Sequence, residues 1–155
     1  MTQNNRNPVA SLADPGCTVE MGFREVLGFE VEEWAKDWAV LSLQLNQSHL
    51  NRNGFVHGGV IMSLMDSACG LCGVYCALPG HVRRCLTVSM NTQFISPARD
   101  GSLRVEARMV SRGRRMFFAE ARVFTGDVLV ATGSGTLRYV GEGGDERGTP
   151  LQLES

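Results

Sequence analysis

The chain has 155 residues, which is enough for one domain and too few for a multidomain machine. Its composition, 43% hydrophobic and 20% charged, is ordinary for a globular protein and excludes a chain that cannot build a core. The 15 lysines and arginines nearly balance the 16 acidic residues, which leaves a net charge of -1. No overall positive field therefore attracts the chain to nucleic acid or to an anionic membrane.

The sequence shows neither an export signal nor a membrane segment. No stretch approaches the roughly 20 uninterrupted apolar residues that a transmembrane helix needs. The first six residues, MTQNNR, lack the apolar core of a signal peptide. Five cysteines are an odd number in such a chain, which favours reduced thiols over a disulfide framework. We therefore expect a cytoplasmic protein that does not associate with membranes.

Composition divides the chain into three parts. Residues 1–16 are polar, contain two prolines and show no periodicity, which predicts a flexible arm. Residues 141–155 (GEGGDERGTPLQLES) are equally poor in apolar side chains, which predicts a flexible tail. One domain is expected between them, over 17–140, and it is expected to begin with a short helix between Gly16 and Phe29.

Polar and apolar residues alternate in five segments of this domain, which is the period-2 pattern of half-buried strands. A sixth segment is expected to pair with the first of them as a hairpin. The last strands are separated by short turns such as Arg112-Gly113 and Gly126-Asp127. Short turns join antiparallel neighbours, because a parallel connection needs a dozen or more residues. The predicted strands are 29–35, 38–45, 86–94, 103–109, 117–123 and 129–138.

A helical period appears between Gly59 and about Ala77. Apolar residues recur there at i, i+3, i+4, i+7, i+11 and i+14, which places them on one face. A long helix against an antiparallel sheet is an α+β fold, a single sheet wrapped around one helix. Because one sheet covers only one side of the helix and leaves strand edges open, we expect a homodimer or a larger assembly. The predicted packing face consists of Ile61, Leu64, Met65, Ala68, Cys72 and Tyr75.

Asp66 lies in the middle of that helix, on a strip that also holds Gly59, Ser63, Gly70 and Gly73. Glycines in a helix interior cost about 1 kcal/mol each against alanine. A helix tolerates that cost where a partner backbone or a substrate must come close, which makes the strip a candidate site. A solvated aspartate beside glycines that serve helix packing explains the same pattern.

The segment before the helix, 51–59 (NRNGFVHGG), brings polar side chains and glycines to its first turn. Backbone N–H groups are free at a helix start and the helix dipole favours negative charge there, so this end can hold an oxyanion. His57 is a candidate general base, or a histidine that positions the loop by hydrogen bonding. Gly58 and Gly59 are candidate oxyanion donors, or ordinary turn residues.

These motifs together are specific. The pattern NxxGxxHGG at 51–59, followed by Asp66, by TVSMN at 87–91 and by SPA at 96–98, resembles the hotdog-fold acyl-CoA thioesterases of the phenylacetate-degradation (PaaI) type. The resemblance covers residues 25–140. It implies a hotdog fold and dimers with a continuous sheet, usually paired into homotetramers. It also implies hydrolysis of acyl-CoA or aryl-CoA thioesters.

The resemblance further implies roles for single residues. Asp66 is expected to be the catalytic carboxylate, as general base on water or as nucleophile, and Asn51 to orient the water or the thioester. His57 is expected to hold the loop beside the thioester, and Gly58 to donate its backbone N–H to the oxyanion. Thr87 is expected to reach in from a facing subunit and to bind the attacking water. Neither a metal nor a separate cofactor is implied, since coenzyme A is part of the substrate.

Coenzyme A also carries phosphates, which basic residues in a predicted turn could bind. Arg112, Arg114 and Arg115 can hold a phosphate through bidentate contacts, although a solvated basic hairpin fits the pattern equally well. Gly59 and Met62, in the first turn of the helix, are expected to line the substrate site.

The pattern leaves several alternatives open. An enoyl-CoA hydratase and a non-catalytic acyl-CoA binding or sensing module share the fold, but a binding module does not need the polar set of Asp66, Asn51 and Thr87. The acyl group, aryl or medium-chain, and its carrier, coenzyme A or a carrier protein, are also open. Cys69 and Cys72 form a Cys-x-x-Cys without a second ligand pair at metal spacing, so we expect core thiols.

Overall fold

The computed structural model describes residues 21–141 and 143–151. These ranges form two α-helices, a 3-10 turn at Gln47–His49 and eight strands. As far as the described residues go, neither helix is long and apolar enough to cross a membrane. The arm predicted over 1–16 lies outside the described residues. The elements are α1 (Met21–Leu27), β1 (Glu30–Ala35), β2 (Trp38–Gln44), α2 (Gly58–Val74), β3 (His81–Val82), β4 (Cys85–Phe94), β5 (Ser102–Arg112), β6 (Met116–Thr125), β7 (Val128–Tyr139) and β8 (Thr149–Pro150).

Six strands form one antiparallel sheet in the order β1-β2-β5-β6-β7-β4. β3 and β8 form a separate two-stranded pair. α2 lies across one face of the large sheet and contacts all six of its strands. The predicted α+β class and hotdog arrangement, one sheet wrapped around one long helix, are therefore confirmed.

Alternation along the strands gives the sheet its buried face. In β5, Leu103, Val105 and Ala107 are fully buried, while the charged residues between them keep contact with solvent. The apolar stripe of α2 packs onto this face and completes the core. The buried residues of α2 are Ile61, Leu64, Met65, Ala68, Cys69, Cys72 and Gly73.

The helix ends at Val74, three residues before the predicted end. Tyr75 adopts an extended backbone (ψ 129°) and stops the helical repeat. Its ring packs edge-on against Trp34 at a centroid distance of 5.5 Å, and Trp34 Nε1 donates a hydrogen bond to Leu71 O at 2.8 Å. Trp34 therefore anchors the end of the helix to the sheet.

Gly73 serves the packing of the helix on the sheet. A Cβ at this position would lie 2.1 Å from the ring of Phe117 in β6, so the glycine lets the helix approach its own sheet. Of the two interpretations that the sequence left open, close approach of a partner or substrate and helix packing, the structure supports packing at Gly73. Gly70 has room for a Cβ, with its nearest neighbour, Cys85 Sγ, at 3.6 Å.

β4 forms an open edge of the sheet. Among the described strands it pairs only with β7, and its sequence, CLTVSMNTQF, contains neither a charged residue nor a proline. Leu86, Val88 and Phe94 are each more than half exposed. Natural sheets protect their edges with charges, prolines or covering elements, so an uncharged edge of this length favours pairing with another strand.

The described part of the predicted C-terminal tail folds back onto the domain. β8 pairs with β3, and Gly143 O accepts a hydrogen bond from Arg83 Nε at 2.8 Å. Glu146 forms an ion pair with Lys36 at 2.7 Å, and the hydrogen bond and charge of Lys36 lower the pKa of Glu146. The packed domain therefore continues past the boundary predicted at residue 140.

Candidate active site

Asp66 lies in the middle of α2, where the helix runs beside the start of β4. The hydroxyl of Thr87 donates a hydrogen bond to Asp66 Oδ1 at 2.6 Å. This contact is made within one chain, which corrects the expectation that Thr87 approaches from a facing subunit: β4 belongs to the sheet that wraps the same helix. Among the described residues, Asp66 has no other hydrogen bond and no ion pair. Its second oxygen, Oδ2, is therefore available to a water or a ligand.

A cavity of about 280 Å³ lies beside this pair. Asp66 and Thr87 contribute polar atoms to it, as do Arg83 and Arg84 from the segment before β4. The volume is near the lower end of the range for small-molecule sites. The rest of the wall is largely apolar and includes Phe29, Gly70, Leu71, Val74, Cys85 and Leu137.

His57 is the N-cap of α2. Its Nδ1 accepts a hydrogen bond from the Gly59 N–H at 2.9 Å. Because Nδ1 accepts, the neutral ring carries its proton on Nε2, which can donate to a ligand but cannot take up a proton. This geometry fits a residue that positions the loop rather than a general base.

The cap also decides which backbone amide is available at the helix start. The Gly59 N–H is engaged by His57, and the Val60 N–H donates to His57 O at 2.9 Å. The Gly58 N–H has no acceptor among the described residues. Gly58 is therefore the amide that can receive an oxyanion, while Gly59 contributes through its lack of a side chain.

Asn51 holds the loop that leads into the helix. Its Oδ1 accepts hydrogen bonds from the N–H groups of Asn53 at 2.9 Å and Phe55 at 3.2 Å. Gly54, with φ +75°, makes the turn between them. Because the oxygen is committed to the loop, only the Nδ2 group of Asn51 remains to orient a ligand.

A second cavity, of about 390 Å³, lies at the start of α2. The Phe94 ring lies 3.2 Å from where a Gly58 Cβ would be, so a side chain at position 58 would require this exposed ring to shift slightly. The guanidinium of Arg99 lies 3.9 Å from the ring centre of Phe55, which lines the same cavity. Sequence reasoning missed Arg99, because a charged residue in the turn at 97–101 (PARDG) resembles any solvated turn residue. The other lining residues are Val56, Ile61, Ile95, Ser96, Pro97 and Ala98.

Gly58 and Asp66 cannot act on one thioester within one chain. They are eight residues apart on α2, which is about 12 Å along the axis at about 1.5 Å per residue. An oxyanion donor must lie about 3 Å from the oxygen, and the base must reach the water that attacks the same carbon. Both groups can serve one substrate only if two copies of the helix contribute.

The predicted basic cluster divides into two parts. Arg112 forms ion pairs with Asp37 and with Glu146, the latter at 3.2 Å. Arg114 and Arg115 form no ion pair with any carboxylate in the described part of the chain, and they line a surface cavity of about 450 Å³ together with Asp145. Arg112 is therefore already neutralised, and the remaining pair can receive an anion.

Met62 and Gly59 lie in the first turns of α2, on its outer side. Met62 is 41% exposed and lines none of the three cavities described above. Gly59 is exposed as well, and a Cβ there would meet the His57 ring at 3.0 Å. A role for Met62 in substrate binding therefore requires a second chain over this part of the helix.

The helical thiols are buried and protonated. Burial raises the pKa of Cys69 to about 12, with the negative charge of Asp66 as the second cause. Burial also raises the pKa of Cys72. A thiol is a nucleophile or a metal ligand only as thiolate, so neither residue acts in that way near neutral pH. Within the described ranges no group of three potential ligands could hold a metal ion.

His49 is a buried residue that sequence reasoning did not single out. Its Nδ1 accepts a hydrogen bond from the Asn46 N–H at 3.1 Å, and its Nε2 donates to Leu27 O at 2.9 Å. Its own carbonyl accepts from the His57 N–H at 2.8 Å, which fixes the start of α2. A histidine in a short polar segment has no periodic signal, so only the fold reveals this role.

The fold and these groups define a class of protein. It is a hotdog domain with a carboxylate on the central helix and a backbone N–H without an acceptor at the start of that helix. The family model described as the thioesterase superfamily matches residues 53–132, which include Gly58, Asp66 and Thr87. The chain belongs to the thioesterase superfamily.

Three similar proteins illustrate the relationship. "Putative esterase PA0474" of Pseudomonas aeruginosa is 34% identical over 113 residues, covering 72% of this chain and 83% of that protein. The medium/long-chain acyl-CoA thioesterase YigI of Salmonella typhimurium is 27% identical over 134 residues, covering 77% of this chain and 85% of its own. A solved structure of the phenylacetic acid degradation protein PaaI from Thermus thermophilus has a TM-score of 0.65 and 26% identity, covering 75% of this chain and 96% of that one. The family and these names support a hydrolase.

Proposed function

We propose that the protein is an acyl-CoA thioesterase that hydrolyses an aryl- or medium-chain acyl-CoA to the free acid and coenzyme A. The observation that carries this proposal is the Asp66 carboxylate, held on one oxygen by Thr87 beside a cavity and open on the other. The names of YigI and PaaI, which refer to medium/long-chain acyl-CoA and to phenylacetic acid, support these two substrate classes.

The chemistry needs an oriented water and a stabilised oxyanion. Asp66 Oδ2 takes a proton from water while the water oxygen attacks the thioester carbon, and the Gly58 N–H receives the negative charge that develops on the carbonyl oxygen. The C–S bond then breaks, and the proton held by Asp66 passes to the departing sulfur. One such donor is worth about 3 kcal/mol of barrier, and a general base contributes about 10²- to 10⁴-fold. The Nδ2 group of Asn51 and Nε2 of His57 are further donors at this end.

A homodimer brings the two halves of the site together in this proposal. The open edge of β4 is uncharged and apolar, and it favours a strand of a second copy. Thr87 lies near the start of β4 and Phe94 at its end. If β4 pairs antiparallel with its own copy about its middle, the Thr87 end of one strand lies opposite the Phe94 end of the other. The cavity at Asp66 then faces the cavity at the Gly58 of the second copy.

The nucleotide end of the substrate has a matching site in this proposal. Arg114 and Arg115 line a surface cavity and form no ion pair with a described carboxylate, although Asp145 lines the same cavity, and they are the guanidinium pair we assign to a coenzyme A phosphate. Arg112, which the sequence analysis grouped with them, is left with its ion pairs to Asp37 and Glu146.

The proposal is tested by thiol release from phenylacetyl-, benzoyl- and octanoyl-CoA with wild type and Asp66→Asn. The isosteric change removes the base and keeps the shape, so we expect at least a hundredfold lower kcat. Asp127→Asn, in the exposed β6–β7 turn, is the matched control and keeps the wild-type rate. Binding of these thioesters without thiol release indicates a binding module, and hydration of an enoyl-CoA without thiol release indicates a hydratase; either result contradicts the proposal.

A further inference from the structure

Arg83 is a buried charged residue beside the candidate site that has no role in the proposed reaction. It is only 7% exposed, yet it lines the same cavity as Asp66. Its Nη1 donates to Tyr75 O at 3.1 Å. Tyr75 follows the last residue of α2 and lies nine residues after Asp66, so the guanidinium is about 14 Å from the carboxylate along the helix axis, at about 1.5 Å per residue. The two charges therefore mark different ends of the cavity.

The guanidinium is buried, and its positive charge, after that of Lys36, helps to lower the pKa of Glu146. Its Nε donates to Gly143 O at 2.8 Å, and its Cζ lies 4.9 Å from the ring centre of Tyr139. In the described part of the chain no carboxylate pairs with Arg83, and Nη2 is buried without a hydrogen-bond partner. Backbone carbonyls, the helix C-terminus and the more distant Glu146 offset part of the charge, but the buried Nη2 donor is left without an acceptor, which an anion would supply.

The wall between the two charges is mostly apolar, with Ser67 as a polar residue next to Asp66. Leu71 and Val74 from α2, Phe29 and Leu137 line the cavity between Asp66 and Arg83. An occupant that satisfies the whole cavity has a thioester carbon at one end, methylene or ring carbons in the middle and an anion at the other end. The exposed Arg84 beside it adds a second positive charge near that far end.

We propose that the cavity takes acyl groups that end in a carboxylate, and that Arg83 determines this specificity by binding the terminal carboxylate. The proposal rests on the thioesterase function and names its substrate class: monothioesters of medium-length dicarboxylic acids. The small volume, about 280 Å³, excludes a long chain folded inside it. A structural role alone, in which Arg83 only ties Tyr75 to Gly143, predicts no preference between charged and neutral acyl groups.

The test compares suberoyl-CoA with octanoyl-CoA, two thioesters of equal chain length that differ in the terminal carboxylate. With wild type we expect kcat/KM at least tenfold higher for suberoyl-CoA. Arg83→Met lowers that ratio at least tenfold while it still hydrolyses octanoyl-CoA, and Arg83→Lys keeps part of the preference. A wild-type ratio near one, or an unchanged ratio in Arg83→Met, overturns the proposal.

A second measurement covers the case in which Arg83→Met does not fold, since Arg83 also holds the end of α2. Calorimetric titration of wild type with suberate and with octanoate compares the two free acids directly. We expect suberate to bind at least tenfold more tightly, and equal affinity overturns the proposal. Because this measurement does not depend on turnover, it separates failure of the specificity from failure of the thioesterase function.

Discussion

The hydroxyl of Thr87 donates a 2.6 Å hydrogen bond to Oδ1 of Asp66 and so connects the open edge strand to the central helix at the candidate site. A hydrogen bond to an ionised carboxylate is about twice as strong as one between neutral groups. It fixes the rotation of the carboxylate and leaves Oδ2 for the water. Thr87 thus positions the carboxylate that we propose as the base, and it lies on a strand whose other edge is open.

Replacing Thr87 with valine keeps the shape of the side chain and removes the donor. We expect T87V to lower kcat by tenfold to a hundredfold, since a hydrogen bond to a charged group is worth about 1.5–3 kcal/mol. T87S retains the hydroxyl and should keep most of the rate. Steady-state kinetics of thiol release with both variants check this. Equal rates for the valine and serine variants are incompatible with a role for the hydroxyl.

His57 caps the central helix through its Nδ1. Replacing it with alanine leaves the Gly59 N–H without an acceptor, and we expect a loss of about 1 kcal/mol in the free energy of unfolding. Asparagine is a strong N-cap residue, so H57N should recover most of that loss. Urea denaturation of the three proteins measures the difference. If H57A and H57N are equally stable, the capping bond does not stabilise the helix.

Gly70 and Gly73 are three residues apart on one helix but should respond oppositely to alanine. At Gly73 the new Cβ would lie 2.1 Å from the Phe117 ring, so we expect G73A to destabilise the fold by about 1–3 kcal/mol or more. At Gly70 the nearest atom is 3.6 Å away, and alanine is the better helix former by about 1 kcal/mol. We expect G70A to be at least as stable as wild type. Urea denaturation again decides, and a stable G73A contradicts the packing argument.

Much of the fold could be predicted because its signals are local. Alternation in Leu103, Val105 and Ala107 marks a strand with one buried face, and the same reasoning at 3.6-residue spacing gave the buried stripe of α2. The end of the helix was less predictable, since it depends on the backbone of Tyr75 and on its packing against Trp34. Periodicity has no information about that contact.

The candidate site shows where sequence reasoning stops. Asp66 could be placed on the helix, but whether Thr87 meets it within one chain or across an interface depends on the order of strands in the sheet. Likewise, Arg112 looks equivalent to Arg114 in the sequence. It differs because the sheet brings Asp37, 75 residues away, against it. Long-range pairings of this kind carry no local pattern.

The difference between Arg112, which forms ion pairs, and Arg114 and Arg115, which form none with a described carboxylate, leads to a prediction. Replacing both Arg114 and Arg115 with methionine should raise KM for an acyl-CoA several-fold, because the phosphate loses its guanidinium partners. The effect should be far smaller with the matching N-acetylcysteamine thioester, which has no phosphate. R112M should instead weaken the contact of the C-terminal segment with the domain, seen as faster amide exchange there. Equal KM effects on both thioesters would argue against a phosphate site at this turn.

Buried thiols predict how stability depends on pH. The pKa of Cys69 is about 12 in the fold against an ordinary value of 9.0, and burial raises the pKa of Cys72 as well. Below about pH 9 the thiols keep their protons in both the folded and the unfolded protein. The fold then has the full stabilisation that comes from burying neutral thiols. Above it, only the unfolded chain releases them, so the free energy of unfolding falls by about 1.4 kcal/mol per pH unit for each thiol. Tyr139, whose pKa burial raises, adds a loss of the same sign.

Urea denaturation under reducing conditions at about pH 8 and about pH 10.5 measures this slope. We expect wild type to lose stability between the two values, and the C69A/C72A variant to lose markedly less even though it starts from a lower stability. The difference arises because the variant has no thiols at these two positions to ionise in the unfolded chain. If both proteins lose the same amount, the two thiols do not cause the alkaline destabilisation, and other groups that ionise above pH 9 must do so.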